Sequence, residues 1–195
     1  MIPKHIFTVW LTDKDTVPEL VQRCIASQKI NGYEHTTITL DNCYHNKYID
    51  DAIAAKQWGK ACDYLRIHYL MEQGGIYLDA DVEMMPGKNF DSLLSCSLFA
   101  GRENNGFVNT AVLGAEKGNS TLANHLMEVE ERFKGDDGLY FESSIEIFTP
   151  RILADKNAKI LEAEYFYPFD HQRNTVDIKD FTICWHHFMK TWKKS

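Results

Sequence analysis

The sequence predicts an α/β fold in which a mostly parallel sheet is flanked by helices. Short apolar segments rich in β-branched and aromatic residues recur along the chain, and they alternate with longer segments of helical periodicity. Such alternation is typical of a sheet covered by helices, and not of a bundle or a barrel. The chain has 195 residues and no internal repeat, so we expect residues 1–195 to form a single domain.

Local signals place the elements in order from the N-terminus. The first strand, His5–Trp10, is rich in β-branched and aromatic residues, and Pro18 then opens a helix that we expect to continue to about Ile30. The pair Gly74 and Gly75 ends the third predicted helix. The other predicted elements are, in order, a strand at Thr36–Leu40, helices at Tyr48–Lys56 and Lys60–Gln73, strands at Ile76–Leu78, Val82–Met85, Leu98–Gly101 and Thr110–Gly114, helices at Asn119–Phe133 and Ser143–Leu153, and a last strand at Phe181–Trp185.

The composition indicates which partners and which cellular compartment to expect. The formal net charge is −7, and no basic stripe could neutralise the phosphates of a nucleic acid, so we expect no nucleic-acid partner. No apolar run approaches the roughly 20 residues that a membrane helix needs, and the N-terminus lacks a signal-peptide pattern. The five cysteines form no C-x-x-C pair, which argues against a disulfide framework and against a cysteine zinc site. We therefore expect a cytoplasmic protein, or a soluble domain of a longer one.

The C-terminal tail carries the only basic cluster, at Lys190, Lys193 and Lys194, beside Trp192. A tail of this kind is usually solvated. The alternative is a weak peripheral contact with anionic lipid at the inner face of the membrane, or with a diphosphate.

The most informative segment is Gly74–Asp81, in which a glycine pair leads into a short apolar strand that ends in two carboxylates. Ligands of α/β folds bind at strand ends, and the carboxylates of Asp79 and Asp81 are the oxygen ligands that Mg²⁺ and Mn²⁺ prefer. Two protein ligands leave most of the coordination shell to water and phosphate oxygens. The pattern therefore indicates a metal–diphosphate site, although a bare D-x-D is more often an acidic turn.

Two further groups of residues fit the same site. Asp63 and Arg66 lie one turn apart in a predicted helix that leads into the acidic strand, so they share a face and can reach a phosphate or sugar hydroxyls. The alternative is an ordinary surface ion pair. Near the C-terminus, His186 and His187 are adjacent, so a strand would point at most one of them at the metal, where an imidazole is a suitable third ligand.

Five motifs together give the chain a resemblance to glycosyltransferases with a sugar-binding D-x-D motif. This group includes capsule and lipopolysaccharide sugar transferases of bacteria and fungal Golgi mannosyltransferases, and the glucosylating toxins are more distant relatives. Ile2–Trp10 resembles the opening I-P-K-x-I-H-x-x-W, with Phe7 in place of the usual His. The others are Ala61–Arg66 (A-x-D-x-x-R), Gly74–Asp81 (G-G-x-Y-x-D-x-D), Asn109–Ala111 (N-x-A) and His186–Trp192, which has the spacing of H-H-x-x-G-S-W but Lys-Thr in place of Gly-Ser.

The resemblance implies a GT-A fold, a single glycosyltransferase catalytic domain and a nucleotide-sugar donor. It implies that Asp81 ligates Mn²⁺ or Mg²⁺ directly, that Asp79 contacts the ribose or the sugar near the metal, and that His186, or else His187, is a further ligand. It also implies donor contacts by four other groups: Trp10 on the base, Asp63 and Arg66 on the donor sugar, Asn109 in the donor pocket and Trp192 over the diphosphate.

The resemblance further implies retention of anomeric configuration, a role in polysaccharide biosynthesis and a glycan or lipid-linked oligosaccharide as acceptor. A UDP-sugar is the expected donor, with GDP-mannose as the alternative. Two other functions stay open at this point. Leu78–Val82 also fits a phosphatase with an aspartate nucleophile, although that motif usually opens its domain, and the chain could be a binding module without catalytic activity.

Overall fold

The fold is described from a computed structural model, which covers residues 1–14, 16–133, 144–170 and 173–189. Alternating apolar segments form ten strands within these residues, and amphipathic segments form five α-helices. The strands are β1 (His5–Val9), β2 (Glu34–Ile38), β3 (Gly75–Leu78), β4 (Val82–Met84), β5 (Leu98–Arg102), β6 (Val108–Ala115), β7 (Ala158–Leu161), β8 (Phe169–Asp170), β9 (Thr175–Val176) and β10 (Cys184–His186). The helices are α1 (Glu19–Ser27), α2 (Lys47–Ala54), α3 (Trp58–Gln73), α4 (Ser120–Arg132) and α5 (Ser144–Ala154), with short 3₁₀ turns at Asp91–Leu93 and Ala163–Tyr165.

Six of the strands form the central sheet, in the order β2-β1-β3-β6-β5-β7. Strand β6 is antiparallel to both of its neighbours, and the other neighbouring pairs are parallel. The reversal follows from the connection between β5 and β6, which is too short for the crossover that a parallel pair requires. The prediction of a mostly parallel sheet flanked by helices is confirmed. Two small antiparallel pairs, β4 with β10 and β8 with β9, lie outside this sheet.

The sheet separates two apolar clusters because successive side chains of a strand point to opposite faces. On one face, Phe7 and Tyr77 belong to the cluster that contains buried residues of α2, α3, α4 and α5. On the other face, Ile6 and Ile76 belong to a cluster with residues of β4, β10 and the two 3₁₀ turns. The edge of the sheet where β1 and β3 end therefore lies between helices on one side and the β4–β10 pair on the other.

The glycine pair between α3 and β3 is required by the backbone. Gly74 has a φ of +71° and ends α3, with its N–H donating to the carbonyl oxygen of Leu70 at 2.8 Å. Gly75 has a φ of +124°, and a Cβ there would lie 2.5 Å from the carbonyl oxygen of His5. No other residue type fits such a position without displacing β1, so the pair fixes the path by which α3 leads into β3.

The element boundaries differ from the sequence predictions mainly at three strands that were not predicted, β7, β8 and β9. Strand β7 is at the edge of the sheet and only its last residue, Leu161, is buried. Strands β8 and β9 have two residues each. None of the three has enough buried residues to give an apolar pattern. Across the described part of the chain, no helix is long and apolar enough to cross a membrane, and all five cysteines are free thiols.

Candidate active site

The two carboxylates of the D-x-D segment lie where β3 leaves the sheet. Strand β3 ends at Leu78, and the next residues form a tight turn that the N–H of Val82 closes by donating to the carbonyl oxygen of Asp79 at 3.0 Å. The N–H of Asp79 donates to the carbonyl oxygen of Ala111 on β6 at 2.8 Å. The turn is thus bonded to the neighbouring strand at its first residue, which fixes the position from which both aspartate side chains project.

His186 joins the two aspartates because β10 pairs antiparallel with β4. His186 lies opposite Val82 in this pair. Its Nε2 is 3.3 Å from Oδ1 of Asp81 and 3.8 Å from Oδ2 of Asp79. One ligand atom from each of the three residues lies within 4.8 Å of the others. Two carboxylates and an imidazole fit Mn²⁺ or Mg²⁺ by donor type and leave positions open for phosphate oxygens.

Asp81 and His186 each favour the charged form of the other. Burial alone would raise the pKa of Asp81, but the hydrogen bond and charge of His186 and the N–H of Met189 hold it below its usual value. Burial likewise acts to lower the pKa of His186, and the two aspartates raise it instead. A divalent cation bound here would favour the charged form of the Asp81 carboxylate in the same way as the imidazolium does.

The chain after β10 closes over Asp81 through its backbone. The N–H of His187 donates to the carbonyl oxygen of Asp81 at 3.0 Å, and the N–H of Met189 donates to its Oδ2 at 2.7 Å. Phe188, between them, has a φ of +53°, in the left-handed region that few non-glycine residues adopt. This reversal of the backbone is what turns the Met189 N–H toward the carboxylate.

Arg66 connects α3 to the acidic turn. One of its terminal nitrogens is 3.0 Å from Oδ1 of Asp63 and 3.1 Å from Oδ1 of Asp79, and the other donates to Oγ1 of Thr110 at 2.8 Å. The guanidinium also lies over the ring of Tyr77, whose hydroxyl donates to Asp79 at 2.7 Å. The side chain is only 8% exposed, so its charge is balanced within the protein.

The pKa directions around Arg66 follow from this burial. Burial acts to lower the pKa of Arg66, but Asp79, Tyr77 and Asp63 together raise it above its usual value, so the guanidinium stays charged. Burial raises the pKa of Asp63, which the charge of Arg66 only partly offsets. The structure thus brings Asp63, Arg66 and Asp79 into one ion-paired group beside the carboxylate of Asp81.

Two other residues expected at the site, Asn109 and Trp10, lie on or next to strands of the central sheet. Asn109 is buried on β6; its amide N–H donates to Glu103 and its Oδ1 accepts from the N–H of Ala111 at 2.7 Å. Trp10 follows β1, and its backbone N–H donates to the carbonyl oxygen of Ile38. Its buried indole nitrogen has no hydrogen-bond partner among the described residues. Trp192 and the basic tail lie outside the described residues.

His187 is directed away from the Asp79–Asp81–His186 group. Its Nε2 lies 2.8 Å from Oε2 of Glu83, beside the thiol of Cys24. The Nε and one terminal nitrogen of the Arg23 guanidinium also donate to the Glu83 carboxylate, at 3.1 and 3.3 Å. Glu83 is therefore already paired with a cation. Of the two adjacent histidines, His186 is the one that lies next to both aspartates.

Sequence reasoning did not identify Tyr77, Thr110 and Glu103 as members of the site. The strand period could have revealed Tyr77, since residues 77 and 79 of a strand point to the same side. No comparable signal exists for Glu103, which reaches Asn109 only through the hairpin between β5 and β6.

Comparison with known proteins agrees with the fold and the motifs. The profile of the capsular polysaccharide synthesis protein family matches residues 1–111, which include β1, α3 and the D-x-D turn. No curated protein is similar enough to count as a match.

Two solved glycosyltransferases share the fold at low sequence identity. The PaToxG glycosyltransferase aligns with a TM-score of 0.58 and 18% identity, over 77% of this chain and 68% of its own. GlyE of Streptococcus pneumoniae TIGR4 aligns with a TM-score of 0.50 and 15% identity, over 84% of this chain and 46% of its own. The chain therefore belongs to the capsular polysaccharide synthesis protein family and has a glycosyltransferase fold, in agreement with the family and fold that the sequence predicts.

Proposed function

We propose that this glycosyltransferase moves a sugar from a nucleotide-sugar donor to a glycan or lipid-linked acceptor, and that it depends on a divalent cation held by Asp79, Asp81 and His186. The observation that carries the proposal is the convergence of these three side chains, two from the D-x-D turn after β3 and one from β10. A carboxylate pair with one imidazole is a hard, open donor set that suits a metal–diphosphate and not a closed structural site.

The cation would supply electrostatic stabilisation of the charge that develops on the leaving diphosphate. The protein's own contribution is orientation. The N–H of Met189 and the imidazole of His186 fix the Asp81 carboxylate, while Arg66 and Tyr77 fix that of Asp79. Both carboxylates are therefore held in place before any donor binds, so little reorganisation is needed on binding.

We propose that the donor sugar binds at the ion-paired group of Asp63, Arg66 and Asp79, beside the metal position. Asp63 is partly exposed, at 27% of its side chain, and can accept hydrogen bonds from sugar hydroxyls while it remains paired with Arg66. The indole N–H of Trp10, which has no partner in the described part of the chain, supports a contact with the donor nucleotide. The family resemblance favours a UDP-sugar, with GDP-mannose as the alternative, and implies retention of anomeric configuration.

The test is a donor screen by thermal shift with the wild-type chain and an Asp81→Asn variant. UDP-glucose, UDP-galactose, their N-acetyl forms and GDP-mannose are each added with Mn²⁺ and with chelator. A donor at 100 times its Kd should add about 2.7 kcal/mol to the free energy of unfolding. We expect one nucleotide class to stabilise the wild-type chain only with metal, and Asp81→Asn to lose that stabilisation.

The same variant should lose metal-dependent transfer by more than about 100-fold, because deletion of a direct ligand costs more than loss of an outer-shell partner. The control is Asp91→Asn. It changes an exposed carboxylate that is paired with Lys4, the residue just before the start of β1, whereas the D-x-D turn follows the end of β3. Near-normal transfer by Asp81→Asn would exclude the proposed metal site. Slow donor hydrolysis with Mn²⁺ would exclude a binding module without activity.

A further inference from the structure

Gln28 is a completely buried amide at the C-terminal end of α1, and neither the motifs nor the family resemblance include it. The residue follows the last helical residue, Ser27, and its own N–H still donates to the carbonyl oxygen of Cys24 at 3.2 Å. Its relative exposure is 0%. A buried carboxamide needs partners for two N–H groups and one oxygen, so its contacts show what the position requires.

The side-chain nitrogen of Gln28 is bonded to the D-x-D turn. It donates to the carbonyl oxygen of Asp79 at 2.9 Å and to that of Val82 at 2.8 Å. These two carbonyl groups are at the first and last residues of the turn that carries Asp79 and Asp81. Because both can only accept, the orientation of the amide is determined by its surroundings.

The other end of the amide is bonded to the sheet. Its Oε1 accepts from the hydroxyl of Thr8 on β1, which is also fully buried. The Nε2 of His35 on β2 lies 3.3 Å from the same oxygen. Gln28 therefore connects β1 and β2 with the turn that follows β3, and every hydrogen-bonding group of its side chain has a partner.

The preceding residue reinforces the same connection. The hydroxyl of Ser27 accepts from the N–H of Met84 at 2.9 Å and donates to the carbonyl oxygen of Cys24 at 2.6 Å. Two consecutive side chains at the end of α1 thus bind three backbone groups between residues 79 and 84. The aspartate side chains themselves contact Arg66 and His186, and not Gln28 or Ser27.

We propose that Gln28 is a positioning residue for the metal site: its carboxamide fixes the backbone of the Asp79–Val82 turn and thereby the separation and direction of the two carboxylates. The proposal rests on the metal site of the proposed function. Without the two N–H donors, the carbonyl groups of Asp79 and Val82 lose a buried partner, and the turn can rotate away from the geometry that the cation needs.

The experiment measures Mn²⁺ affinity of the full chain by electron paramagnetic resonance, without donor, beside the melting temperature. Gln28→Met keeps the length of the side chain and removes its donors and acceptor. We expect Mn²⁺ to bind it about 10- to 100-fold more weakly than the wild-type chain, the range usual for outer-shell partners of a metal site. The control for lost stability is Leu122→Ala, a buried residue of α4, whose Mn²⁺ affinity should be unchanged although it also melts earlier.

An unchanged Mn²⁺ affinity in Gln28→Met overturns the proposal, as does an equal loss in Leu122→Ala. Thr8→Val, which removes only the hydroxyl bonded to Oε1, gives a second test that survives if Gln28→Met does not fold. We expect an intermediate loss of affinity for it, and wild-type affinity would again overturn the proposal. Asp81→Asn separates this result from the proposed function: if the wild-type chain and Asp81→Asn bind Mn²⁺ equally, the metal site itself is wrong.

Discussion

Arg66 shows how much a single buried cation can contribute to this site. Its guanidinium contacts Asp63, Asp79 and Thr110 and lies over the ring of Tyr77. Replacement by Met, which has a similar apolar length, would leave two carboxylates without their counterion in a largely buried position. Removal of one partner from a buried pair typically costs about 3 to 5 kcal/mol. We therefore expect Arg66→Met to lower the free energy of unfolding by about that amount, as measured by urea denaturation without metal.

Arg23 provides the matched comparison for this prediction. It also donates from two nitrogens to one carboxylate, that of Glu83, but its side chain is 57% exposed. Ion pairs at the surface contribute about 0 to 1 kcal/mol. Arg23→Met should therefore change the free energy of unfolding by no more than about 1 kcal/mol. Equal effects of the two substitutions would mean that the Arg66 charge is not desolvated as the structure indicates.

At the scale of residues, local spacing allowed part of the candidate site to be predicted. Asp63 and Arg66 are one helical turn apart, and Asp79 and Asp81 follow a strand end, so their proximity follows from regular geometry. Gln28 and Glu103 could not be found this way. Gln28 meets the turn 51 residues later in the chain, and only the packing of α1 against β4 brings the two together. Contacts of this kind leave no periodic pattern in one sequence.

At the scale of elements, the junction between α3 and β3 depends on the close approach of β1. A Cβ at Gly75 would lie 2.5 Å from the carbonyl oxygen of His5 and 3.0 Å from the ring of Phe7. The positive φ alone costs a non-glycine residue about 1 kcal/mol or more. We expect Gly75→Ala to lower the free energy of unfolding by roughly 3 kcal/mol or more, because strand separation adds to the backbone strain.

Gly32 is the control for backbone strain without contact. Its φ is +80°, and a Cβ there would meet nothing within 4 Å. Gly32→Ala should therefore show only the backbone cost, about 1 kcal/mol, in the same denaturation experiment. If the two alanine variants are equally stable, the predicted collision between β3 and β1 does not take place.

Elements with a buried face were predictable, and elements without one were not. Helix α3 has buried residues along its length and β6 is buried at every position, so both stand out in the sequence by their apolar residues. Strand β7 is formed because β5 offers a free edge, and only one of its own four residues is buried. The direction of β6 likewise depends on the length of a hairpin and not on the residues of the strand. Pairing of this kind is decided by the tertiary structure.

At the scale of the whole molecule, the stability of the fold in acid should depend on His125. This side chain of α4 is 1% exposed and packs edge-on against the ring of Phe148 at 5.2 Å between ring centres. Burial, with a smaller effect from the charge of Arg151, lowers its pKa to about 4, although the charge of Glu128 opposes both. The imidazole is therefore neutral in the fold under conditions in which the unfolded chain, with a pKa of 6.5, already binds a proton.

The direction of the pH effect follows from this difference. Well above pH 6.5, His125 is neutral in both the folded and the unfolded state, so it does not make the free energy of unfolding depend on pH. As the pH falls from 6.5 to about 4, only the unfolded state gains the proton, so the free energy of unfolding decreases. The difference between a pKa of 6.5 in the unfolded chain and about 4 in the fold corresponds to a loss of roughly 3 kcal/mol in the free energy of unfolding over that interval.

His125→Gln should remove this dependence, because glutamine has no proton to gain in this range. The measurement is urea denaturation of both proteins at several pH values from 7.5 to 4, with chelator present so that metal binding does not contribute. His186, whose pKa is raised by the aspartates, has the opposite dependence, but it is present in both proteins and cancels in their difference. Between pH 7.5 and 4 the free energy of unfolding of the wild-type chain should fall by roughly 3 kcal/mol more than that of His125→Gln, whatever their offset at neutral pH. Parallel curves would mean that the buried imidazole accepts a proton in the fold as readily as in the unfolded chain.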